Sequence, residues 1–310
     1  MPTPLTPERL VYDFCGAGDP RVSPDGTTIL YALGTVDKET KKPSAHLWLC
    51  DIDGSNRRQI TQSGTANGGG RWSPDGRSIA FVSDRVKAAG IFVLPADGAG
   101  EAREVTKHQS GISDLAWSPD GTKLAYVTTY DPENPNEEEP QADAAPKVRV
   151  TRRIDYKQDG RGFLGDKRSH IFVVDVASGE RTRVSEAAAD HGFPHWSPDG
   201  AWLAMQKFSH NGMRSQLLLK HLESGDTRTL GTEEGNIGVW EWSPDGTRLI
   251  FTGDTRQTFQ TDFFVYTMAS SETRRITNDL AVLPASGFPG YIGQPSLVWL
   301  DERQVLFSAV

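Results

Sequence analysis

At 310 residues, with 36% hydrophobic and 24% charged side chains, the chain has the composition of an ordinary globular protein, and no stretch approaches the run of about 18 apolar residues that a membrane helix needs. A net charge of −8 argues against a nucleic-acid partner, because such affinity comes from many Lys and Arg meeting phosphates. Two cysteines, Cys15 and Cys50, cannot make a disulfide framework and show no metal-ligand spacing, so they read as reduced packing residues.

Residues 1–18 read as a lead segment. Pro2, Pro4 and Pro7 stand where a secretory signal would carry a basic start and a continuous apolar core, so a cytoplasmic location is expected. Beyond it one element recurs five times: Val22-Ser23-Pro24-Asp25-Gly26, Trp72-Ser73-Pro74-Asp75-Gly76, Trp117-Ser118-Pro119-Asp120-Gly121, Trp196-Ser197-Pro198-Asp199-Gly200 and Trp242-Ser243-Pro244-Asp245-Gly246. Trp299-Leu300-Asp301-Glu302 is a degenerate sixth copy. Successive serines stand 50, 45, 79 and 46 residues apart, so three intervals match one propeller blade and the long one holds an insertion of roughly 30 residues.

The element is a hairpin turn in physical terms. Pro presets φ at the second position of a type I turn, Asp suits the third, and Gly takes the left-handed conformation that follows. After each turn comes a short apolar run, such as Ile29-Leu30-Tyr31-Ala32, Ile79-Ala80-Phe81-Val82, Leu124-Ala125-Tyr126-Val127 and Leu249-Ile250-Phe251. Continuous apolarity predicts strands buried on both faces. A second hairpin follows in each unit, for example Leu47-Trp48-Leu49-Cys50 returning through Arg58-Gln59-Ile60-Thr61.

Four strands per unit, with neighbouring units covering both faces, is the blade arrangement of an all-β propeller built from four-stranded antiparallel sheets. Residues 19–310 count as five complete blades plus the first two strands of a sixth. The chain stops inside an apolar strand, Val305 to Val310, which leaves a bare sheet edge. The propeller is therefore expected to be incomplete at its C-terminal end and continued in a longer polypeptide. Five of the eight tryptophans precede the turn or its degenerate copy, and are expected to pack between blades rather than to stack on a ligand.

The insertion, residues 131–169 in the third blade, segregates its charge. Six acids and no base lie between Asp131 and Asp143, among four prolines from Pro132 to Pro146, which reads as a mobile, solvated acidic loop. Eight bases against three acids follow between Lys147 and Arg168, interleaved with Val148, Val150, Ile154, Tyr156 and Phe163, as in a β-arm. Arginine forks at Arg149, Arg152 and Arg153 suit a carboxylate held in bidentate fashion. With Tyr156 they are the candidate substrate-binding residues, the alternatives being a contact with a second copy of the chain and plain solvation.

Other motifs are weak or missing. No G-x-S-x-G occurs, so the strained turn that presents a hydrolase serine is not found and no catalytic residue is assigned. Gly68-Gly69-Gly70 lacks the Gly-Lys-Ser/Thr ending of a phosphate loop and reads as a flexible lead into the blade at Arg71. Asp51-Ile52-Asp53-Gly54 lacks the glutamate a calcium loop needs, and reads as a hairpin turn. His191 and His195 are separated by Gly192 and Pro194, which break the helix that would align two ligands, so no metal or cofactor is expected.

Units of Trp-Ser-Pro-Asp-Gly followed by strands such as Ile79-Ala80-Phe81-Val82-Ser83-Asp84-Arg85 resemble the propeller repeats of the prolyl oligopeptidase family and of TolB. The stretch from Arg153-Ile154-Asp155-Tyr156-Lys157 through Asp159-Gly160-Arg161-Gly162-Phe163 to His170-Ile171-Phe172-Val173-Val174-Asp175 is similar to the third-blade region of acylaminoacyl-peptidase-type members. The opening Leu5-Thr6-Pro7-Glu8 resembles how those cytoplasmic peptidases begin.

The resemblance implies a seven-bladed propeller, about six blades of which lie here, over a C-terminal α/β-hydrolase domain that cleaves short peptides with a Ser-Asp-His triad. That domain is not in this sequence. The implied role is to gate the hydrolase site and help bind peptide termini, with short peptides and the hydrolase domain as partners. A non-catalytic TolB-like scaffold for protein binding is the alternative.

Overall fold

The computed structural model describes residues 4–98, 100–139, 150, 156–158, 162–186, 188–256, 261–277 and 297–307. A short helix, α1 (Pro7–Tyr12), comes first, with Thr6 as its cap: Arg9 N–H donates to Thr6 Oγ1 at 3.3 Å. None of its residues is buried.

Three four-stranded antiparallel sheets follow. The first is β1 (Gly16–Val22), β2 (Thr28–Val36), β3 (Pro43–Asp51) and β4 (Arg58–Gln59), in chain order; β1 thus starts within the lead segment. The second is β5 (Asn67–Trp72), β6 (Ser78–Ser83), β7 (Ala89–Pro95) and β8 (Arg103–His108). The third begins with β9 (Ile112–Trp117) and β10 (Lys123–Tyr130). A separate two-stranded hairpin, β11 (Lys157–Gln158) and β12 (Gly162–Phe163), interrupts it before β13 (Arg168–Asp175) and β14 (Arg181–Arg183) complete the sheet.

The fourth sheet is β15 (Asp190–Trp196), β16 (Trp202–Ser209), β17 (Arg214–His221) and β18 (Thr227–Leu230). The fifth is β19 (Asn236–Trp242), β20 (Arg248–Asp254), β21 (Asp262–Thr267) and β22 (Glu272–Arg275), and β23 (Leu297–Trp299) pairs with β24 (Val305–Phe307). Among the described residues the count is the one the repeat predicts. Two compact units are present, Met1–Ala145 with Phe172–Arg183 and Pro146–Ile171 with Val184–Val310.

The second strand of the later sheets is the most deeply buried, with five consecutive buried residues in each of β10 and β20. In the first unit, Leu30, Leu47, Ile79 and Phe81 form one apolar cluster and Ile91, Leu124, Tyr126 and Val174 the next. In the second unit, Leu217, Leu249 and Phe251 pack around Trp240 and Trp242, and Ile250, Phe263 and Leu297 make a smaller cluster. Each cluster lies where consecutive sheets face each other, which is why both faces of the middle strands are apolar.

All five turns share one hydrogen-bond pattern. The serine Oγ donates to the aspartate Oδ1 at 2.5–2.6 Å and accepts the backbone N–H five residues on at 2.8–2.9 Å. The glycine N–H bonds back to the serine carbonyl, and its φ of +69 to +76° requires glycine. These serines are buried, an observation the turn rules alone did not predict.

The first strand of each full sheet is bulged, with register shifts at Gly18/Arg21, Gly68/Arg71, Gly192/His195 and Ile237/Trp240 and, in β9, opposite Ala125/Val127. The glycine run is corrected on this point. Gly68, Gly69 and Gly70 are part of β5 rather than a flexible lead: Gly69 takes the bulge at φ +62°, and a Cβ on Gly70 would stand 2.8 Å from Leu30 Cδ2.

The tryptophans bridge sheets. In the first unit Trp72 Nε1 donates to Arg21 O and Trp117 Nε1 to Arg71 O, both at 3.0 Å. In the second, Trp242 reaches His195 O and Trp299 reaches Glu241 O, both at 3.4 Å. Every acceptor is the residue just before the tryptophan position of the preceding sheet. The turns stack as well: a Cβ on Gly76 would lie 3.5 Å from Pro24 Cδ, and one on Gly246 3.5 Å from Pro198 Cδ. No helix among the described residues is long and apolar enough to cross a membrane.

Candidate functional site

The acidic half of the insertion leaves the third sheet and folds against the end of the second. Asp131 Oδ1 accepts the Glu133 N–H at 3.0 Å, and the Asn134 side chain both accepts Glu138 N–H and donates to Glu138 O, each at 2.9 Å. These local bonds form a tight strap, and Glu137 within it adopts φ +55°, a conformation uncommon for glutamate. The expectation of a mobile acidic loop is therefore corrected for residues 131–139.

The strap delivers Glu137 to the end of β8. Its Oε1 lies 2.6 Å from His108 Nδ1, and its Oε2 accepts the Gln109 backbone N–H at 3.0 Å. The Gln109 side chain donates in turn to the Glu137 carbonyl at 2.8 Å. Two residues on, Glu139 pairs with Lys87 at 2.6 Å, an exposed contact of small energetic weight.

His108 is 2% exposed, and its Nε2 lies 2.8 Å from the hydroxyl of fully buried Tyr126. A carboxylate only accepts, so Nδ1 carries the proton and Nε2 accepts from Tyr126. The rings of His108, Tyr126 and Phe172 pack with centroids 5.4–5.8 Å apart. Burial draws the His108 pKa down more than Glu137 raises it, and the Arg181 charge adds to the lowering, so the imidazole is neutral at pH 7. Burial also pushes the Tyr126 phenol above its ordinary range.

Arg181, on β14, donates through Nη1 to Lys107 O at 2.7 Å and approaches Thr106 Oγ1 at 3.3 Å. Among the described residues it makes no ion pair. Strap, β8 and β14 enclose a cleft of about 560 Å³, lined by Lys87, Glu104, Lys107, Gln109, Asn136 and Arg181 beside the His108–Glu137 contact. Both nitrogens of His108 are engaged, and neither meets a serine or cysteine. The arrangement holds polar groups in place; it does not activate a nucleophile.

Of the sequence-predicted substrate contacts, Arg149, Arg152 and Arg153 lie outside the described residues. Tyr156 precedes the β11–β12 hairpin, 47% exposed, its ring 6.2 Å from that of Phe163 and its carbonyl accepting Leu164 N–H at 2.9 Å. Lys157 Nζ stands 5.7 Å from the centre of the Phe163 ring. His191 stacks on His170 while His195 meets Trp240, so the two histidines have different neighbours. Among the described residues no three His, Cys, Asp or Glu side chains are grouped to hold a metal. Reading the sequence missed His108, Glu137 and Tyr126, whose only local signal is the break after β8.

Four-stranded antiparallel sheets joined in series, each opened by the same turn, define a β-propeller. The sequence matches the family described as the TolB beta propeller domain over residues 7–138 and 162–282, and the chain belongs to that family. It is 33% identical over 188 residues to the uncharacterized peptidase YuxL of Bacillus subtilis, covering 60% of this chain and 28% of that protein. It is 38% identical over 80 residues to dipeptidyl-peptidase 5 of Porphyromonas gingivalis, covering 26% of this chain and 12% of that one. The chain thus spans less than a third of these relatives. Among solved structures, the acylaminoacyl peptidase of Pyrococcus horikoshii superposes with a TM-score of 0.68 at 17% identity, over 97% of this chain and 44% of that one, a likeness of fold.

Proposed function

We propose that this chain is the propeller portion of a cytoplasmic serine peptidase of the acylaminoacyl-peptidase type, standing over an α/β-hydrolase domain, admitting short peptides and helping to hold their ends. The identity with the peptidase YuxL, which extends well past the region matched here, carries this reading. The lack of a G-x-S-x-G turn in these 310 residues fits a division of labour in which the chemistry resides elsewhere in the polypeptide. Within it, Arg149, Arg152, Arg153 and Tyr156 are the proposed contacts to peptide on the insertion's arm.

The test is to read the gene past Val310 and express the extended protein. It should hydrolyse short acylated or free peptides, a serine-reactive phosphonate should block it, and the 310-residue chain should be inert. Hydrolysis by the 310-residue chain itself would defeat the reading. A gene with no hydrolase sequence downstream, and a stable stoichiometric protein partner, would favour the TolB-like scaffold instead. In the extended enzyme, replacing Arg152 and Arg153 with Ala should raise KM for peptides with a free C-terminus more than for amidated ones.

A further inference from the structure

Glu137 is held as a ligand is held. Its carboxylate receives a ring N–H from a histidine that is 2% exposed and a backbone N–H from Gln109, while the Gln109 side chain takes the carbonyl of the same glutamate. Two of these bonds are charge-assisted, one of them from a buried donor, and with the neutral amide-to-carbonyl bond they read both the side chain and the main chain of the residue. The strap adopts φ +55° at Glu137 to make them, an unfavourable backbone state that this contact offsets. Around the pair, Arg181 adds positive charge with no ion pair among the described residues, while Lys107 stands 3.8 Å from the Glu104 carboxylate.

We infer that the cleft at the end of β8 is a recognition site for a glutamyl residue of a peptide, occupied in this state by Glu137 of the strap, which an incoming acidic peptide displaces. His108 Nδ1 and Gln109 N bind the carboxylate, Gln109 Nε2 binds the adjoining main-chain carbonyl, and Arg181, on the cleft wall, is the cation for a second acidic group. The tyrosine behind His108 fixes the tautomer that donates. This deepens the peptidase reading, on which its role in substrate choice rests: the enzyme would favour acidic peptides, and the strap would act as a built-in competitor.

The experiment titrates the 310-residue chain, wild type and Glu137→Ala, with acetyl-Asn-Pro-Asn-Glu-amide and the matching Gln peptide, by calorimetry. The Glu137→Ala protein should bind the Glu peptide at least about tenfold more tightly than does the wild type, and at least about tenfold more tightly than it binds the Gln peptide. Equal binding of the two peptides, equal binding by the two proteins, or no binding by either would overturn the inference. Should Glu137→Ala lose its circular dichroism signature, Glu137→Gln is the second variant, read by glutamyl-endopeptidase cleavage within residues 131–139. Faster cleavage than in the wild type is expected, and an unchanged rate would overturn the displacement. Neither readout involves hydrolysis by this protein, so failure here leaves the peptidase reading standing, and the reverse holds too.

Discussion

Trp117 reaches across to the preceding sheet, its Nε1 donating to the carbonyl of Arg71 at 3.0 Å, and Arg71 is itself the chain neighbour of Trp72, which repeats the bond toward Arg21. Trp117→Phe keeps an aromatic ring but leaves the Arg71 carbonyl without this donor. The expected cost is about 1–2 kcal/mol, seen as a lower urea midpoint at unchanged slope. An unchanged midpoint would mean that the bond adds no net stability.

Ser243 is fully buried, donating to Asp245 Oδ1 at 2.6 Å and accepting Arg248 N–H at 2.9 Å. Ser243→Ala orphans that N–H, a loss of about 1–3 kcal/mol. The same serine, followed by Thr247, holds the Asp245 pKa at about 2 against an ordinary 3.8. The folded pKa is depressed, so the stability it contributes is present above pH 3.8 and is lost as pH falls toward 2. Acid titration of Ser243→Ala should therefore show unfolding at higher pH than wild type; coincident acid midpoints would contradict this.

His191 is 1% exposed, stacks on His170 at 5.6 Å between centroids, and has no partner for Nε2 among the described residues. Burial, then the His170 charge, lowers its pKa from 6.5 to about 4. Between these values the unfolded chain takes a proton that the folded one refuses, so stability declines as pH drops through the window, by at most about 1.4 kcal/mol per pH unit. His191→Phe should flatten the fall in melting temperature between pH 6.5 and 4.5. A variant as pH-sensitive as the wild type would assign the effect elsewhere.

Glu241 shows the opposite sign. Burial pushes its carboxyl from 4.5 up to about 7, with the Trp242 N–H at 3.1 Å as the one bond opposing the shift. The folded state keeps a proton that the unfolded state has released, so stability is full below pH 4.5 and is lost as pH rises through 7. Glu241→Gln should melt higher than wild type at pH 8 and alike at pH 4.5. A variant no more stable at pH 8 would show that the carboxyl is solvated.

The blades were legible because Pro-Asp-Gly turns and apolar runs are local, and their spacing reports each sheet directly. The insertion was legible as an interruption between β10 and β13 for the same reason. Gly68 to Gly70 misled, since a glycine run signals freedom in isolation, whereas here it admits a bulge and the close approach of Leu30. The cleft was not legible: Glu137 lies 29 residues from His108, and the pairing depends on how the strap folds. Acids in a proline-rich stretch predict solvation unless a buried donor meets one of them, and no sequence pattern announces that donor.

The tryptophan bonds and stacked turns all sit at the end of each sheet where the first strand passes into the second, and antiparallel geometry puts the link from second to third strand at the opposite end. A blade can therefore be lengthened at that far link without disturbing the ties to the blade before it. The 131–169 insertion occupies such a link, and the scaffold can host additions there as interchangeable attachments, each free to change in length and charge while the mortise between blades stays the same.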